Sequence, residues 1–557
     1  MFNKRTLTDA PVLWNAGIAL ALIVYAAGLF IIPMEPDATI YAEVSMEMYQ
    51  RWDFLEIFRK GADWLDKPHF PFWITALSYK VFGLNYFAYK FPGVLFVLFG
   101  GWYTWLFGRR FYGRLQGLLA VFLLLTAEHI IISNQDVRAE PYMTGLTIMG
   151  LYHVASYLRT KKFRDLLLTS IAMGCLVMTK GPFTIIPIVA GVLCTLIYEK
   201  RWRELFNTQW IGCASLTVLA MSPGLYAYFM QFDMHPEKVV FGTTGVSGIR
   251  FFLWDSQWGR FRNTGPIRGS GDPFFFVHTL LWAFLPWAFL ALYALYRKTR
   301  DHFRRTVEGE SYTYFGFITL FLVFSASRFQ LSYYLNPLFP LLAILVAEQL
   351  VMISRKRNYL KTFAIIHLVQ ALLVVIVFIA LQHFFFRDLP GWLSLVVMIP
   401  MLAWALYIFT RKGMYLKKIV FATAFVTLAV NFYINQWFYP HLMPYQSQNT
   451  MAEWIRDNKV PADNLICYDT EEQVADIILA RVIPMYKLED GTPELLKGKL
   501  AYTTPEGIAK VEAMGLTTTV VKEFEEFHVT MLTGTFLNKG TRTQALKKRF
   551  LVRIGDR

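Results

Sequence analysis

The sequence has few charged residues and few cysteines for its size. Asp, Glu, Lys and Arg make up 17% of the 557 residues, whereas hydrophobic residues make up 55%. A soluble protein of this length needs more charge to cover its surface, so the composition excludes an ordinary soluble enzyme. Four cysteines are present and none forms a Cys-x-x-Cys pair, so the sequence predicts neither a disulfide framework nor a zinc site of that kind.

Long apolar runs are what the sequence has instead. Runs of roughly 20 apolar residues recur along most of the chain, and each is long enough to cross a hydrocarbon core of about 30 Å. No small-residue cleavage site follows the first run, so we expect a retained span and not a removed signal peptide. We count about thirteen candidate spans, centred near 12–33, 86–107, 115–132, 139–158, 165–179, 182–198, 210–231, 273–296, 312–326, 333–352, 360–382, 391–410 and 418–438.

The net charge of +15 comes from short basic clusters between the apolar runs, which favours a membrane protein over a nucleic-acid-binding one. The clusters fall at alternate connections of the thirteen spans. The positive-inside rule then places the N-terminus in the cytoplasm and the C-terminus in the periplasm, for a multi-pass protein of the inner membrane. The clusters are Lys4/Arg5, Arg109/Arg110/Arg114, Arg159/Lys161/Lys162/Arg164, Lys200/Arg201/Arg203, Arg297/Lys298/Arg300/Arg304/Arg305, Arg355/Lys356/Arg357/Lys361 and Arg411/Lys412/Lys417/Lys418.

The outer side receives two long loops and the tail of the chain. Loop 34–85 has apolar residues at helical spacing, which is typical of helices that lie in the membrane interface. Loop 232–272 is rich in glycine and aromatic residues with few helix or strand signals, which is typical of a functional lid. Residues 1–440 form the predicted transmembrane domain. In residues 445–557, short apolar runs alternate with helical patterns, which predicts a small α/β domain.

Carboxylates, cations and tyrosines gather on connections that the topology places at the outer face. Asp37 directly follows the first span, although a solvated loop acid is the simpler interpretation. Asp66 and Lys67 precede Pro68, which restricts the backbone, although a turn before an interfacial helix also explains them. Further polar groups lie on the other outer connections, namely Asp136, Lys180, Arg328 and Tyr334.

Together these segments resemble the GT-C membrane glycosyltransferases, in the branch that holds the aminoarabinose transferases and the protein mannosyltransferase-like enzymes (glycosyltransferase families 39 and 83). The resemblance covers residues 12–440. The segments that carry it are Pro36-Asp37-x-x-x-Tyr41-Ala42-Glu43, Asp66-Lys67-Pro68, Asp136, Thr179-Lys180-Gly181-Pro182, Trp258-Gly259-Arg260-Phe261 and Tyr334-Leu335-Asn336-Pro337. The sequence departs from the family pattern at some positions. His69 follows Pro68 where the family often has a second proline, and Gln330 stands where the family has a lysine, whose charge Arg328 would supply instead.

The resemblance implies a polytopic α-helical membrane protein of the GT-C type, with about 13 transmembrane helices and a small C-terminal extracytoplasmic α/β domain. It implies transfer of a sugar from a polyprenyl-phosphate donor to lipid A, a protein or another envelope glycan, on the outer face of the inner membrane. A secondary transporter is the alternative. Transporters place ionisable residues near the bilayer midplane, often in two repeated halves, whereas here the polar residues gather at one face and no repeat is seen.

The same resemblance suggests roles for individual residues. Asp37 is the candidate general base, and Asp66 and Asp136 would bind sugar hydroxyls or stabilise an oxocarbenium-like state. The predicted substrate-binding residues, several of which would hold the phosphate by charge-assisted contacts, are Tyr41, Glu43, Lys67, His69, Lys180, Arg260, Arg328 and Tyr334. The sequence shows no dedicated metal cluster, and His69 with Asp66 is the one pair that would suit a divalent cation.

Overall fold

The computed structural model describes residue 7 and residues 10–264, 268–386, 388–470 and 475–555. Helices dominate this structure up to residue 445, and a helix lies at each of the predicted span positions. The prediction of a multi-pass α-helical membrane protein is therefore confirmed. The number of crossings and their direction stay predictions, and the basic pair Lys4/Arg5 lies outside the described residues.

Within the described residues, seven helices are long and apolar enough to cross a membrane: Pro11–Gly28, Tyr86–Phe111, Trp202–Asp233, Ser332–Ile353, Arg357–Phe385, Trp392–Thr410 and Tyr415–Tyr445. Shorter apolar helices are Arg114–Leu125, Pro182–Tyr198 and Tyr312–Ala326. The remaining predicted positions are occupied by the helices Ala139–Thr160, Phe163–Lys180, Phe275–Ala283 and Ala288–Phe303.

Small residues let the helices at the centre approach closely. The helix Tyr86–Phe111 packs against Ala139–Thr160 where Gly100 faces Gly145, and a Cβ added to Gly100 would lie 3.1 Å from the Cα of Gly145. Lipid tails are as apolar as the side chains, so close van der Waals packing of this kind holds membrane helices together. The helix Ser332–Ile353 is almost entirely buried in this bundle, which fixes the tyrosines at its outer end.

The first outer loop folds into two helices with a small hairpin between them. The first-loop helix, Pro36–Arg51, directly follows the first span, and Phe70–Phe82 closes the loop. The strands β1 (Phe58–Arg59) and β2 (Ala62–Asp63) pair antiparallel between the two helices. The prediction of helices in this loop agrees with the structure, whereas their position in the membrane interface stays a prediction.

The second outer loop is more ordered than its composition suggests. Residues 248–262 form a helical run in three parts, Gly248–Arg250, a π-helical turn Phe251–Asp255 and Ser256–Arg262. The expectation of few helical elements in loop 232–272 is wrong here. Phe251 and Phe252 are buried in one cluster with Leu65 of the first outer loop, so tertiary packing stabilises a helix that local propensity does not predict.

The C-terminal sheet region, residues 447–555, contains a five-stranded mixed sheet in the order β4-β3-β5-β7-β6. Its strands are β3 (Leu465–Tyr468), β4 (Met485–Tyr486), β5 (Leu500–Thr503), β6 (Thr517–Glu526) and β7 (Lys547–Gly555). β3 runs parallel to β4 and β5, whereas β7 pairs antiparallel with β5 and β6. The main helices of the region are Ser447–Asp457 and Pro505–Ala513. The prediction of a small α/β fold in this part of the chain is therefore confirmed.

Candidate active site

A small polar cavity of about 130 Å³ lies at one end of the central helices, between loops 34–85 and 232–272. Its lining combines four cations, three carboxylates and three tyrosines with two apolar side chains. The lining residues are Asp37, Tyr41, Asp66, Lys67, Arg138, Glu140, Lys180, Arg260, Phe329, Leu331, Tyr333 and Tyr334. Of the predicted site residues, Asp37, Tyr41, Asp66, Lys67, Lys180, Arg260 and Tyr334 meet here.

Asp37 enters the cavity from the start of the first-loop helix. Pro36 occupies a first-turn position, where its missing N–H costs nothing, and an acid in the first turn is favoured by the helix dipole. The Tyr333 hydroxyl donates a hydrogen bond of 2.7 Å to Asp37 Oδ2. Burial raises the pKa of Asp37, but Lys67, the Tyr333 hydroxyl and Arg138 outweigh it, so the pKa is lowered overall. Asp37 is therefore an oriented carboxylate at neutral pH.

The Asp66 carboxylate binds two cations that come from different loops. Its carboxylate forms ion pairs with Lys67, the next residue, and with Arg260 of the helix Ser256–Arg262. Burial raises the pKa of Asp66, and the two cations more than compensate, so the pKa is lowered. Two cations that converge on one carboxylate have the charge and spacing to hold a phosphate.

Three polar residues that were not predicted from the sequence also line the cavity, namely Arg138, Glu140 and Tyr333. Glu140 pairs with Lys180, and the two residues are 2% and 6% exposed. Lys180 Nζ also lies 4.2 Å from the centroid of the Tyr334 ring, and the Arg138 guanidinium lies 4.1 Å from that of Tyr333. Glu140 directly precedes a proline at the start of the helix Ala139–Thr160, and this pattern could have indicated Glu140 as a site residue.

Glycine permits the second outer loop to close over Lys180. The helix Phe163–Lys180 ends at Gly181, whose φ is +105°, a value that L side chains rarely adopt. A Cβ at this position would overlap the side chain of Gln257, in the same helix as Arg260. The close approach therefore places Arg260 beside the end of the Lys180 helix.

The structure does not bring four of the predicted residues into this cavity. Asp136 lies one turn before Glu140 and accepts hydrogen bonds from the backbone N–H groups of Met34 (2.6 Å) and Glu35 (3.2 Å). Glu43 faces away from the cavity, 3.5 Å from Lys60 Nζ and 3.8 Å from Arg59 Nε.

Arg328 and His69 are the other two. Arg328 is exposed, so it does not replace the missing family lysine at Gln330. His69 is buried, its Nε2 lies 3.0 Å from the Leu55 carbonyl oxygen, and burial lowers its pKa to about 4. His69 is thus bound into the loop core and is not paired with Asp66. In the part of the chain that the structure describes, no group of three or more His, Cys, Asp and Glu residues is placed to hold a metal ion.

A second cavity of about 510 Å³ adjoins the first and shares Arg138, Glu140, Leu331 and Tyr333 with it. Its walls are mostly apolar. The C-terminal sheet region contributes Val529, Thr530, Leu532 and Leu537, and the segment before the first-loop helix contributes Met34. The helices contribute Ile132, Trp282, Leu381, Ile434, Phe438, Tyr439 and Leu442. Asp136 lines this larger space. The small polar cavity is thus adjacent to a larger cavity with mostly apolar walls.

The buried Glu140–Lys180 pair gives a prediction on stability. Glu140→Leu leaves Lys180 buried without its carboxylate, and breaking a buried pair in this way costs about 3–5 kcal/mol. We expect a clearly lower melting temperature for the purified protein in detergent. The double variant Glu140→Leu/Lys180→Met removes both charges and should recover part of the loss. A single variant that melts like the parent would show that the pair contributes nothing to stability.

Several known proteins are similar to this chain in sequence. Residues 66–226 match the family model described as dolichyl-phosphate-mannose-protein mannosyltransferase. The chain is 27% identical over 460 residues to an uncharacterized protein of Aquifex aeolicus, covering 82% of each. It is 25% identical over 421 residues to the undecaprenyl phosphate-alpha-4-amino-4-deoxy-L-arabinose arabinosyl transferase of Enterobacter sp. (strain 638), covering 72% of this chain and 73% of that one.

The fold is shared with a solved structure. The crystal structure of ArnT from Cupriavidus metallidurans bound to undecaprenyl phosphate has a TM-score of 0.73 to this chain at 19% identity, covering 96% of this chain and 97% of that one. The chain thus has the GT-C fold of that solved structure. In sequence the chain is similar to the aminoarabinose transferases and, over residues 66–226, to the protein mannosyltransferase family model, which confirms the resemblance predicted from the sequence.

Proposed function

We propose that this protein transfers a sugar from a polyprenyl-phosphate donor to an acceptor of the cell envelope, at the outer face of the inner membrane. The observation that carries the proposal is the convergence of Lys67 and Arg260 on Asp66, in a buried cavity that also contains the ionised Asp37. The relatives named for undecaprenyl phosphate-linked aminoarabinose support the same class of donor.

The chemistry needs a base for the acceptor and cations for the leaving group. The acceptor oxygen attacks the anomeric carbon, the bond from that carbon to the phosphate oxygen breaks, and the lipid phosphate leaves with the electron pair. Asp37 takes the proton of an accepting hydroxyl, because it is ionised and held by Tyr333. Lys67 and Arg260 stabilise the charge that develops on the phosphate. For an accepting phosphate, which has no such proton to lose, Asp37 orients the acceptor instead.

The two cavities offer separate spaces for the donor's head group and for an acceptor. The polar cavity holds the sugar and phosphate, and the larger, mostly apolar cavity offers space for an acceptor next to Arg138 and Glu140. Lipid A, a protein or another envelope glycan is the acceptor in this proposal. A secondary transporter is less consistent with the site. The acids of the site lie on outer loops and at helix ends, whereas a transporter has its ionisable residues in the middle of the spans.

Purified protein tests the function directly. With undecaprenyl phosphate-linked aminoarabinose as the first donor, and an envelope lipid extract as the acceptor, we expect release of undecaprenyl phosphate and a sugar-bearing product. Other undecaprenyl phosphate-linked sugars define the donor preference in the same assay. Transport of a solute by proteoliposomes, without turnover of any of these donors, would favour the alternative function.

The orientation of the chain follows from the basic clusters. We propose that the cavity and the C-terminal sheet region face the periplasm and that the connection at Lys161/Lys162 faces the cytoplasm. A periplasm-dependent reporter fused after Pro444 is expected to be active, whereas the same reporter fused after Lys162 is expected to be inactive. Inactivity after Pro444 together with activity after Lys162 would reverse the assigned orientation.

A further inference from the structure

The first-loop helix carries a second group of buried acids that do not serve the cavity. Asp37 and Tyr41, four residues apart, face the polar cavity. Glu43 and Glu47, also four residues apart, lie on a different face and are 1% and 2% exposed. Buried carboxylates of this kind need partners. Their partners lie on the hairpin and in the C-terminal sheet region.

The hairpin inserts its tip between the first-loop helix and the C-terminal sheet region. β1 and β2 are joined by Lys60 and Gly61, whose φ values of 53° and 77° suit a tight two-residue turn. Gly61 N–H donates to Glu47 Oε2 at 3.0 Å. Lys60 Nζ lies 3.5 Å from Glu43 Oε1 and 2.5 Å from Asp476 Oδ2. One ammonium therefore joins two carboxylates from distant parts of the chain.

Asp476 belongs to the C-terminal sheet region and is 1% exposed. Its other oxygen lies 3.4 Å from the backbone N of Ile483, which donates to it. Burial raises the pKa of Asp476 and of Glu43, and Lys60 opposes that rise for both. A second contact joins the same surfaces, because the Gln50 side-chain amide donates to the Ala480 carbonyl oxygen at 2.8 Å.

We infer that Lys60 is a positioning residue for sugar transfer. Through Lys60, the C-terminal sheet region holds the first-loop helix and the Asp66–Lys67 segment in the positions that the cavity needs. The inference rests on the proposed function. β2 ends at Asp63, three residues before Asp66, so the segment that carries Lys67 starts at the anchored hairpin. Lys60 does not line the polar cavity, and it acts through the first-loop helix and the hairpin, which it joins to the C-terminal sheet region.

Affinity for undecaprenyl phosphate, measured on the full chain in detergent, tests this role. Lys60→Met removes the charge and keeps the length, and we expect the affinity to fall roughly 10-fold, because the phosphate-binding side chains lose part of the support that holds their geometry. Lys60→Arg should restore most of the affinity. Lys80→Met, at an exposed lysine of the same outer loop, is the matched control and should bind like the parent.

The coupling to the C-terminal sheet region is tested by Asp476→Asn. We expect it to weaken binding as Lys60→Met does, and the double variant to bind no more weakly than either single variant, because both remove the same contact. Independent losses that multiply in the double variant would contradict the coupling. A lower melting temperature with unchanged affinity would reduce Lys60 to a structural role and overturn the inference.

Hydrogen exchange gives a readout that needs no ligand. In Lys60→Met and in Asp476→Asn, exchange should rise in residues 58–67 and at the start of the first-loop helix, but not in the central helix Ser332–Ile353. Unchanged exchange in 58–67 would overturn the inference. If the parent itself fails to bind undecaprenyl phosphate, the proposed donor is wrong, and the exchange data decide the positioning role alone.

Discussion

Asp37→Asn is expected to lower the rate of sugar transfer by at least ~100-fold, because loss of a positioned general base typically costs ~10²–10⁴-fold. The amide keeps the shape of the side chain and can still accept the hydrogen bond from Tyr333. It cannot take a proton from the acceptor. Folding and binding of undecaprenyl phosphate should therefore persist. The measurement is turnover of a supplied undecaprenyl phosphate-linked sugar by purified protein.

Two controls sharpen this result. Asp53→Asn changes a carboxylate of the same outer loop that caps the Leu55 N–H, and it should leave turnover near that of the parent. The pH profile of the parent is the second control. The pKa of Asp37 is lowered, so the base is lost only as the pH falls through a value below the usual range of an aspartate, and Asp37 should cause no loss of rate near neutral pH. Near-parental turnover in Asp37→Asn would move the base to another carboxylate of the cavity.

Lys67→Ala and Arg260→Ala are each expected to weaken undecaprenyl phosphate binding by roughly 10- to 150-fold. A hydrogen bond to a charged group contributes about 1.5–3 kcal/mol, and about 1.4 kcal/mol corresponds to a factor of ten in affinity. Each variant also leaves Asp66 with one cation fewer, so the remaining cation is held more tightly by Asp66. The measurement is direct binding of undecaprenyl phosphate in detergent, with the melting temperature recorded alongside.

Arg262→Ala is the matched control for Lys67→Ala and Arg260→Ala. Arg262 lies two residues after Arg260 on the same helix, is exposed, and stacks on Trp258 with its guanidinium 4.9 Å from the ring centroid. Its removal should leave the affinity unchanged. Equal losses of affinity in Arg260→Ala and Arg262→Ala would mean that general positive charge attracts the lipid. Parental affinity in both Lys67→Ala and Arg260→Ala would exclude the phosphate site.

The sequence predicts the position of each element better than the direction of each side chain. Apolar runs locate the helices, and the short runs after Pro444 locate all five strands of the terminal sheet. The motif residues Asp37, Lys67 and Arg260 meet because the topology brings their loops to one face. The helix at 248–262 was not predictable, since buried contacts with the first outer loop stabilise it.

Side-chain direction also explains why some residues were wrongly predicted to lie in the polar cavity. Asp136 and Glu140 lie on the same outer connection, and only the start of the helix at Ala139 decides that Glu140 faces the polar cavity. Glu43 is six positions after Asp37, which puts it on another face of the first-loop helix, whereas Tyr41 shares the face of Asp37. Helical periodicity alone could have separated Glu43 from the site once that helix was assumed.

The most direct test of sugar transfer by this protein is mass spectrometry of envelope lipids and glycans from the parent strain and a strain that lacks the protein. We expect one sugar-bearing species to disappear from the deletion strain, to return with the parent protein and to stay absent with Asp37→Asn at equal expression. An envelope that is unchanged by the deletion, or fully restored by Asp37→Asn, would contradict sugar transfer at this site.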